Sequence, residues 1–277
     1  MPSLPGRISR GTAAAALLIG SSACTFGAAG TAESAPLPAP QSQVALPAPH
    51  AGFDYQIGGP YQPTADVQVV SRDHSVPAAA GVYNICYVNA FQAQPGAEGE
   101  WGDLVLRDGN GDVVKDPDWN EALLDLRTED KRNRVAAKVG GWIDDCAGKG
   151  YQAVEPDNYD SFTRSHGLLS ARNAQDLAKL LSSRAHGKGL AIGQKNTSEL
   201  SSSRADNGLD FAVAEECGEQ DNCAEYTKYF GNHVIVIEYT GDGLRNACAK
   251  WGSTLSIVQR DRDVKPKGDP AYVRETC

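Results

Sequence analysis

The sequence predicts an α/β fold of parallel strands flanked by helices, with a (β/α)8 TIM barrel as the arrangement its strand number points to. Three observations carry this. The second half alternates strand and helix signals, eight strand-like segments can be counted along the chain, and polar residues end nearly every one of them. An open doubly wound sheet is the other arrangement compatible with this rhythm.

Two segments precede the first strand. Arg7 and Arg10 stand before the apolar run from Ala13 to Gly20, and small residues follow. This reads as a secretory leader over residues 1–30, with an apolar stretch too short to span a bilayer. Cys24 follows Ser21-Ser22-Ala23, so lipid attachment at this cysteine and an ordinary signal peptide both stay open. Residues 31–51, rich in Ala, Pro, Ser and Gln without periodicity, read as a spacer. Residues 52–277 then form a single domain of the larger sort, secreted or held at the cell surface and expected as a monomer.

The early strands are Phe53 to Ile57, Val67 to Val70 and Val82 to Val88. The gaps between them are near the minimum for a parallel crossover, which leaves little room for helices there. A Gly-rich polar excursion runs from about Gln92 to Asp118. Thr128 then caps a helix with Val135, Val139, Trp142, Ile143 and Cys146 on one face, and Glu129 and Asp130 suit its positive N-terminus. The later strands are Tyr151 to Pro156, Leu190 to Gly193, Asp210 to Ala214, Val234 to Tyr239 and Leu255 to Val258. Between them, Ser170 caps a helix burying Ala174, Leu177, Ala178, Leu181 and Ala185. Ala224 to Phe230 and Leu244 to Trp251 are further helical stretches.

Composition narrows the partners. The formal charge is -9, and Arg7 and Arg10 both lie in the leader, so the body is more acidic still. An acidic body argues against nucleic acid or anionic lipid, leaving a lipid at Cys24 as the only membrane attachment expected. Six of the seven cysteines lie beyond the leader: Cys86, Cys146, Cys217, Cys223, Cys248 and Cys277. An even number in an exported chain predicts three disulfides, with Cys217–Cys223 as the simplest pair. No CxxC or His-rich cluster appears, so no metal is expected. No nucleotide-binding glycine motif and no GxSxG elbow occurs, which disfavours nucleotide cofactors and serine hydrolysis; no cofactor is expected.

The strand ends supply Gln56; Arg72 and Asp73; Asn89; Asp157 and Asn158; Gln194, Lys195 and Asn196; Glu215 and Glu216; Glu238; and Arg260 and Asp261. Any single strand ends in polar residues because it meets water, but in a barrel the C-terminal ends of several strands together build the site. Carboxylates dominate this set and His is scarce. That chemistry fits glycoside hydrolysis, which needs one carboxylic acid to protonate the leaving oxygen and one carboxylate to act at C1 or on water. In Glu155-Pro156-Asp157-Asn158, Pro156 fixes the exit of the strand and Asp157 faces the barrel mouth. Glu155 lies on the same side by alternation, within reach of a salt bridge to Lys195 inside the barrel.

With these residues in hand, the chain resembles glycoside hydrolase family 114, the endo-α-1,4-polygalactosaminidases. The matching stretches are Tyr55-Gln56-Ile57-Gly58-Gly59, Tyr87-Val88-Asn89, Glu155-Pro156-Asp157-Asn158, Gly193-Gln194-Lys195-Asn196 and Phe211 to Cys217. The resemblance implies a (β/α)8 barrel with an Asp after the fourth strand and a Glu after the sixth as the catalytic pair. These map onto Asp157 and onto Glu215, which stands two residues before Cys217. It also implies an amino-sugar polysaccharide substrate, a partly deacetylated α-1,4-linked galactosamine polymer that an acidic protein would hold well. The expected substrate contacts are Asp73, Tyr87, Asn89, Glu155, Asn158, Lys195, Asn196 and Glu238. A different amino-sugar polymer, or a catalytically silent polymer-binding protein on the same barrel, are the alternatives. A deacetylase would want a metal site that the few His do not form.

Overall fold

The computed structural model describes residues 44–277; the leader, Cys24 and the spacer up to residue 43 lie outside them. All eight expected segments form strands: β1 (Phe53–Gln56), β2 (Val69–Asp73), β3 (Tyr83–Asn89), β4 (Ala153–Asp157), β5 (Ala191–Lys195), β6 (Phe211–Glu215), β7 (Val234–Glu238) and β8 (Ser256–Arg260). Each pairs in parallel with the next, from β1 through to β8. A ninth strand, β9 (Arg274–Thr276), lies antiparallel on the far side of β8. The sheet curls into a nearly closed barrel, so the doubly wound alternative does not hold. At the seam, side chains replace the ladder: fully buried Arg260 reaches Asp54 at 3.5 Å, and Arg274 donates to the Phe53 carbonyl at 3.2 Å.

Among the described residues, four helices longer than two turns cover the outside: α1 (Glu129–Gly148), α2 (Ala171–Gly187), α3 (Cys223–Phe230) and α4 (Gly241–Trp251). Their starts follow from capping. Thr128 accepts from the Lys131 N–H at 3.3 Å, Ser170 and Asn173 form a reciprocal capping box, and Thr240 accepts from the Gly243 N–H at 3.0 Å. The connections from β1 to β2 and from β2 to β3 hold no helix, as their short lengths require. After β3, residues 92–128 form a long excursion with two short antiparallel strands, Gln92–Ala93 and Ala122–Leu123. Fully buried Leu106, Leu123, Leu124 and Leu126 anchor it in the outer core.

Two cores result. The outer one lies between sheet and helices, and takes the α2 face Ala174, Leu177, Ala178, Leu181 and Ala185. The inner one fills the lumen with Phe53, Tyr55, Ile85, Phe211, Ile235 and Val258. Packing there is tight enough to dictate Gly193, since a Cβ would meet the Phe211 ring at 2.9 Å. Residues 44–51 have the composition of a spacer yet pack on the barrel. The Tyr83 hydroxyl donates to the Ala45 carbonyl at 2.7 Å, and the Ala51 N–H donates to Ser256 at 2.9 Å. Val44 and Leu46, large apolar residues of that stretch, supply the contact with the lumen core.

The six cysteines pair as Cys86–Cys146, Cys217–Cys223 and Cys248–Cys277. The first ties β3 to α1 across a separation of 60 residues, the second closes a separation of 6. Loop-closure entropy therefore ranks them: removing Cys86–Cys146 by a Cys86→Ala, Cys146→Ala pair should cost about 4 kcal/mol, against about 2 kcal/mol for Cys217–Cys223. Urea unfolding of both double variants checks the order; a reversed ranking would show that native packing, not the unfolded chain, governs.

Candidate active site

Strand alternation sends Tyr55, Ser71, Tyr87, Glu155, Lys195 and Glu215 into the lumen, and at its upper end they form one hydrogen-bonded cluster. Glu155, fully buried, accepts from Tyr55 at 3.0 Å and Ser71 at 2.6 Å, and pairs with the Lys195 ammonium at 3.1 Å. Lys195, only 2 % exposed, also bonds the Tyr55 hydroxyl at 2.9 Å. Burial works against its charge, but Asp157, Glu215 and Glu155 outweigh burial and hold the ammonium protonated well above the ordinary lysine range. Burial also raises Glu155, and Lys195 and Ser71 only partly offset it.

Above this floor the two candidate catalytic carboxylates share the same cation. Lys195 Nζ lies 3.4 Å from Asp157 Oδ1 and 3.4 Å from Glu215 Oε2. The two oxygens are therefore separated by no more than twice that distance. Tyr87 donates to the other Asp157 oxygen at 2.6 Å. Burial pushes the Asp157 carboxyl up, but Lys195 and the Tyr87 bond prevail and hold it below the usual range. Glu215 accepts from the Tyr239 hydroxyl and from the Asn196 amide at 2.8 Å, while the Glu215 N–H returns a bond to Asn196 Oδ1 at 2.8 Å.

Both carboxylates open onto a cleft of about 770 Å³ at the C-terminal end of the barrel. Three neighbouring strands end there in a left-handed residue: Asn158 (φ 67°), Asn196 (φ 51°) and Glu216 (φ 59°) directly follow β4, β5 and β6. Asn tolerates this conformation; for Glu it stores strain of about 1–3 kcal/mol, typical of functional loops.

Among the expected contacts, Asp73, Asn89, Asn158, Lys195 and Asn196 line the cleft. Asp73 sits at its edge and accepts from the Ser75 N–H at 2.9 Å. Asn89, in register with Asp157, accepts from Asn158 at 2.9 Å. Tyr87 lines the cleft too, with its hydroxyl engaged by Asp157. Glu155 and Glu238 correct the expectation: both are fully buried and neither lines the cleft. Glu155 lies beneath Lys195. Glu238 points the other way, because Ile237 packs in the lumen, Tyr239 reaches the site, and the residue between them faces out. There Glu238 accepts from the Gly218 N–H at 2.6 Å and the Glu219 N–H at 3.3 Å, steadying the loop after β6.

Sequence reasoning missed Tyr239, Glu121, Trp119, Arg164 and Arg262, all lining the cleft. For Tyr239 the strand gave no phase to read, because Val234 to Ile237 is apolar at every position. Glu121 and Trp119 lie in the excursion, which has no period to read. Glu121 accepts from Asn89 at 2.8 Å and is 9 % exposed. Burial raises its pKa to about 7; the Asn89 bond opposes this, and Asp157 and Asp116 add to it. The folded state thus keeps this proton well above the unfolded carboxylate range near 4.3, so stability falls as pH rises between about 4.5 and 7. Glu121→Gln keeps the acceptor for Asn89 and should flatten that slope, by up to about 3 kcal/mol. Denaturation from pH 4.5 to 7.5 measures it; a wild-type slope surviving in the variant would assign it elsewhere.

A family model for glycoside hydrolase family GH114 matches residues 33–277. The chain belongs to GH114. This GH114 protein is accordingly a glycoside hydrolase, as the motifs along the strands implied. Its structure is similar to that of Aspergillus fumigatus Ega3 in complex with galactosamine, at 20% identity and a TM-score of 0.68, covering 84% of this chain and 97% of Ega3. It is also similar to the glycoside hydrolase domain of PelA from Pseudomonas aeruginosa, at 13% identity and a TM-score of 0.53, covering 82% of this chain and 98% of that domain. At these identities the likeness concerns the fold. No curated protein matches the GH114 chain.

Proposed function

We propose that this protein is an exported endo-acting enzyme that cleaves α-1,4-linked galactosamine-containing polysaccharide, with Asp157 as nucleophile and Glu215 as general acid/base. The observation that carries the reading is the carboxylate pair astride one buried lysine, each 3.4 Å from its ammonium and both facing the cleft. Asp157, kept ionised by Lys195 and Tyr87, suits attack on C1. Asp157 forms the bond to C1 as the glycosidic C1–O bond breaks, and the leaving oxygen takes the Glu215 proton. Glu215 then removes a proton from water, which displaces Asp157. Twice 3.4 Å as an upper limit admits the separation of about 5–5.5 Å used in retention and reaches only the bottom of the range used in inversion, about 6.5–9.5 Å. The reading is therefore retention.

Charge supports the substrate class. Nine carboxylates line the cleft against four Lys and Arg side chains, which favours a polycation such as a deacetylated galactosamine polymer. The bound galactosamine of Ega3 is consistent with this. Three disulfides suit an oxidising compartment, and so export. The test is incubation with deacetylated α-1,4-galactosamine polymer, with products read by mass spectrometry and by proton NMR at early times. A spread of internal oligomers, first appearing as the α-anomer, is expected. First-formed β-anomer would establish inversion, and intact polymer held by the protein would make it a binding protein.

A further inference from the structure

The cleft continues past the carboxylate pair. A second cavity of about 430 Å³ adjoins it, sharing Trp119, Asp160, Asn196, Glu215, Tyr239 and Arg262 with the first but not Asp157. That asymmetry gives the cleft a direction. The acid/base stands beside the leaving oxygen, and the nucleophile beneath the sugar that stays on the enzyme. A cavity that reaches the acid but not the nucleophile is where the departing part of the chain must lie. We propose that this second cavity is the leaving-group subsite for an amino-sugar chain, and that the polymer lies with its reducing end over Glu199 and Tyr226 and its non-reducing end toward Trp101 and Trp142. The inference rests on the role split between Asp157 and Glu215.

The lining fits that occupant. Trp119 is the exposed large hydrophobic residue among the described residues, at 57%, and it lines both cavities. At the junction it offers an aromatic face to a sugar ring and its ammonium. Asp160 and Glu216 are already paired, with Arg164 at 2.8 Å and Arg262 at 2.5 Å. Glu199 lines the second cavity, is exposed and has no ion pair among the described residues, which leaves its charge for a cationic ligand.

The experiment uses a galactosamine hexamer with a fluorescent label at its reducing end, and the full-length wild type beside Glu199→Gln and Trp119→Ala. Both residues are exposed, and circular dichroism checks folding. Weakened contacts on the leaving side let the hexamer slide to fill the other side, so labelled fragments should shorten. KM for the polymer should rise about fivefold for each substitution. Unchanged fragment lengths, or longer labelled fragments, would overturn the proposal. Calorimetric binding of the same hexamer to the three proteins separates this from the catalytic reading. If wild type cleaves nothing, weaker binding by the variants still supports the subsite and refutes only the reaction, whereas equal affinity in all three rejects the subsite.

Discussion

Glu215→Ala and Asp157→Ala should each lower kcat on the polymer by about 10²–10⁴-fold, yet give opposite products when azide is added. The magnitude follows from losing an acid/base or a nucleophile in a site otherwise intact. The stereochemistry follows from geometry. With Glu215 absent, an aryl glycoside whose leaving group needs no proton still forms the bond to Asp157. KM should fall as that intermediate accumulates. Azide then enters the space that Glu215 vacates, on the face the leaving group left, and gives the α-azide. With Asp157 absent, azide takes the nucleophile's place and displaces the leaving group directly, so the β-azide forms while Glu215 still acts as acid. NMR of the two azides checks the assignment. The same anomer from both variants would exclude the role split. Two azides with the reverse assignment would exchange the roles of the residues.

The sequence carried much of this because the barrel repeats. Short continuous apolar runs such as Val234 to Ile237 and the helix face from Ala174 to Ala185 report burial directly, and Thr128 and Ser170 mark helix starts by their side-chain chemistry. All eight strands were legible for that reason. What failed has three physical causes. At the end of β7, a polar residue was read as a site residue although the all-apolar run before it leaves the inward phase unmarked. Ile237 occupies the lumen, so Glu238 must face the helices and Tyr239 the site. The excursion after β3 has no repeat, and its anchoring leucines give no hint that Trp119 and Glu121 turn back over the cleft. Residues 44–51 failed for a third reason: two apolar side chains among Ala and Pro suffice to dock an extended chain on a preformed barrel end, though they leave no periodic trace.

Lys195→Met should destabilise the protein by about 3–5 kcal/mol at neutral pH and move the acid limb of kcat/KM to higher pH. The lysine sits among Glu155, Asp157 and Glu215 at 3.1, 3.4 and 3.4 Å and is 2 % exposed. Methionine fills most of the volume, so the main loss is electrostatic: three carboxylates then face one another without a cation. In the wild type the Asp157 pKa is depressed by Lys195 and Tyr87 against burial, so its ionised form contributes stability above the unfolded range near 3.9, lost only as pH falls through the lower folded value. Without Lys195, burial and the neighbouring carboxylates prevail, and the folded pKa rises above the unfolded one. Folding the ionised form then carries a cost that grows as pH rises from about 4 and disappears on protonation. The variant should therefore be most impaired near pH 7.5 and approach wild type near pH 4.5. In the proposed role of nucleophile Asp157 must be ionised, so the pH at which activity is half lost on the acid side should rise with its pKa. Urea unfolding at the two pH values and a pH–rate profile measure both effects. A penalty equal at both pH values, with the acid limb unmoved, would mean that Lys195 serves packing and leaves the charge state of Asp157 to other groups.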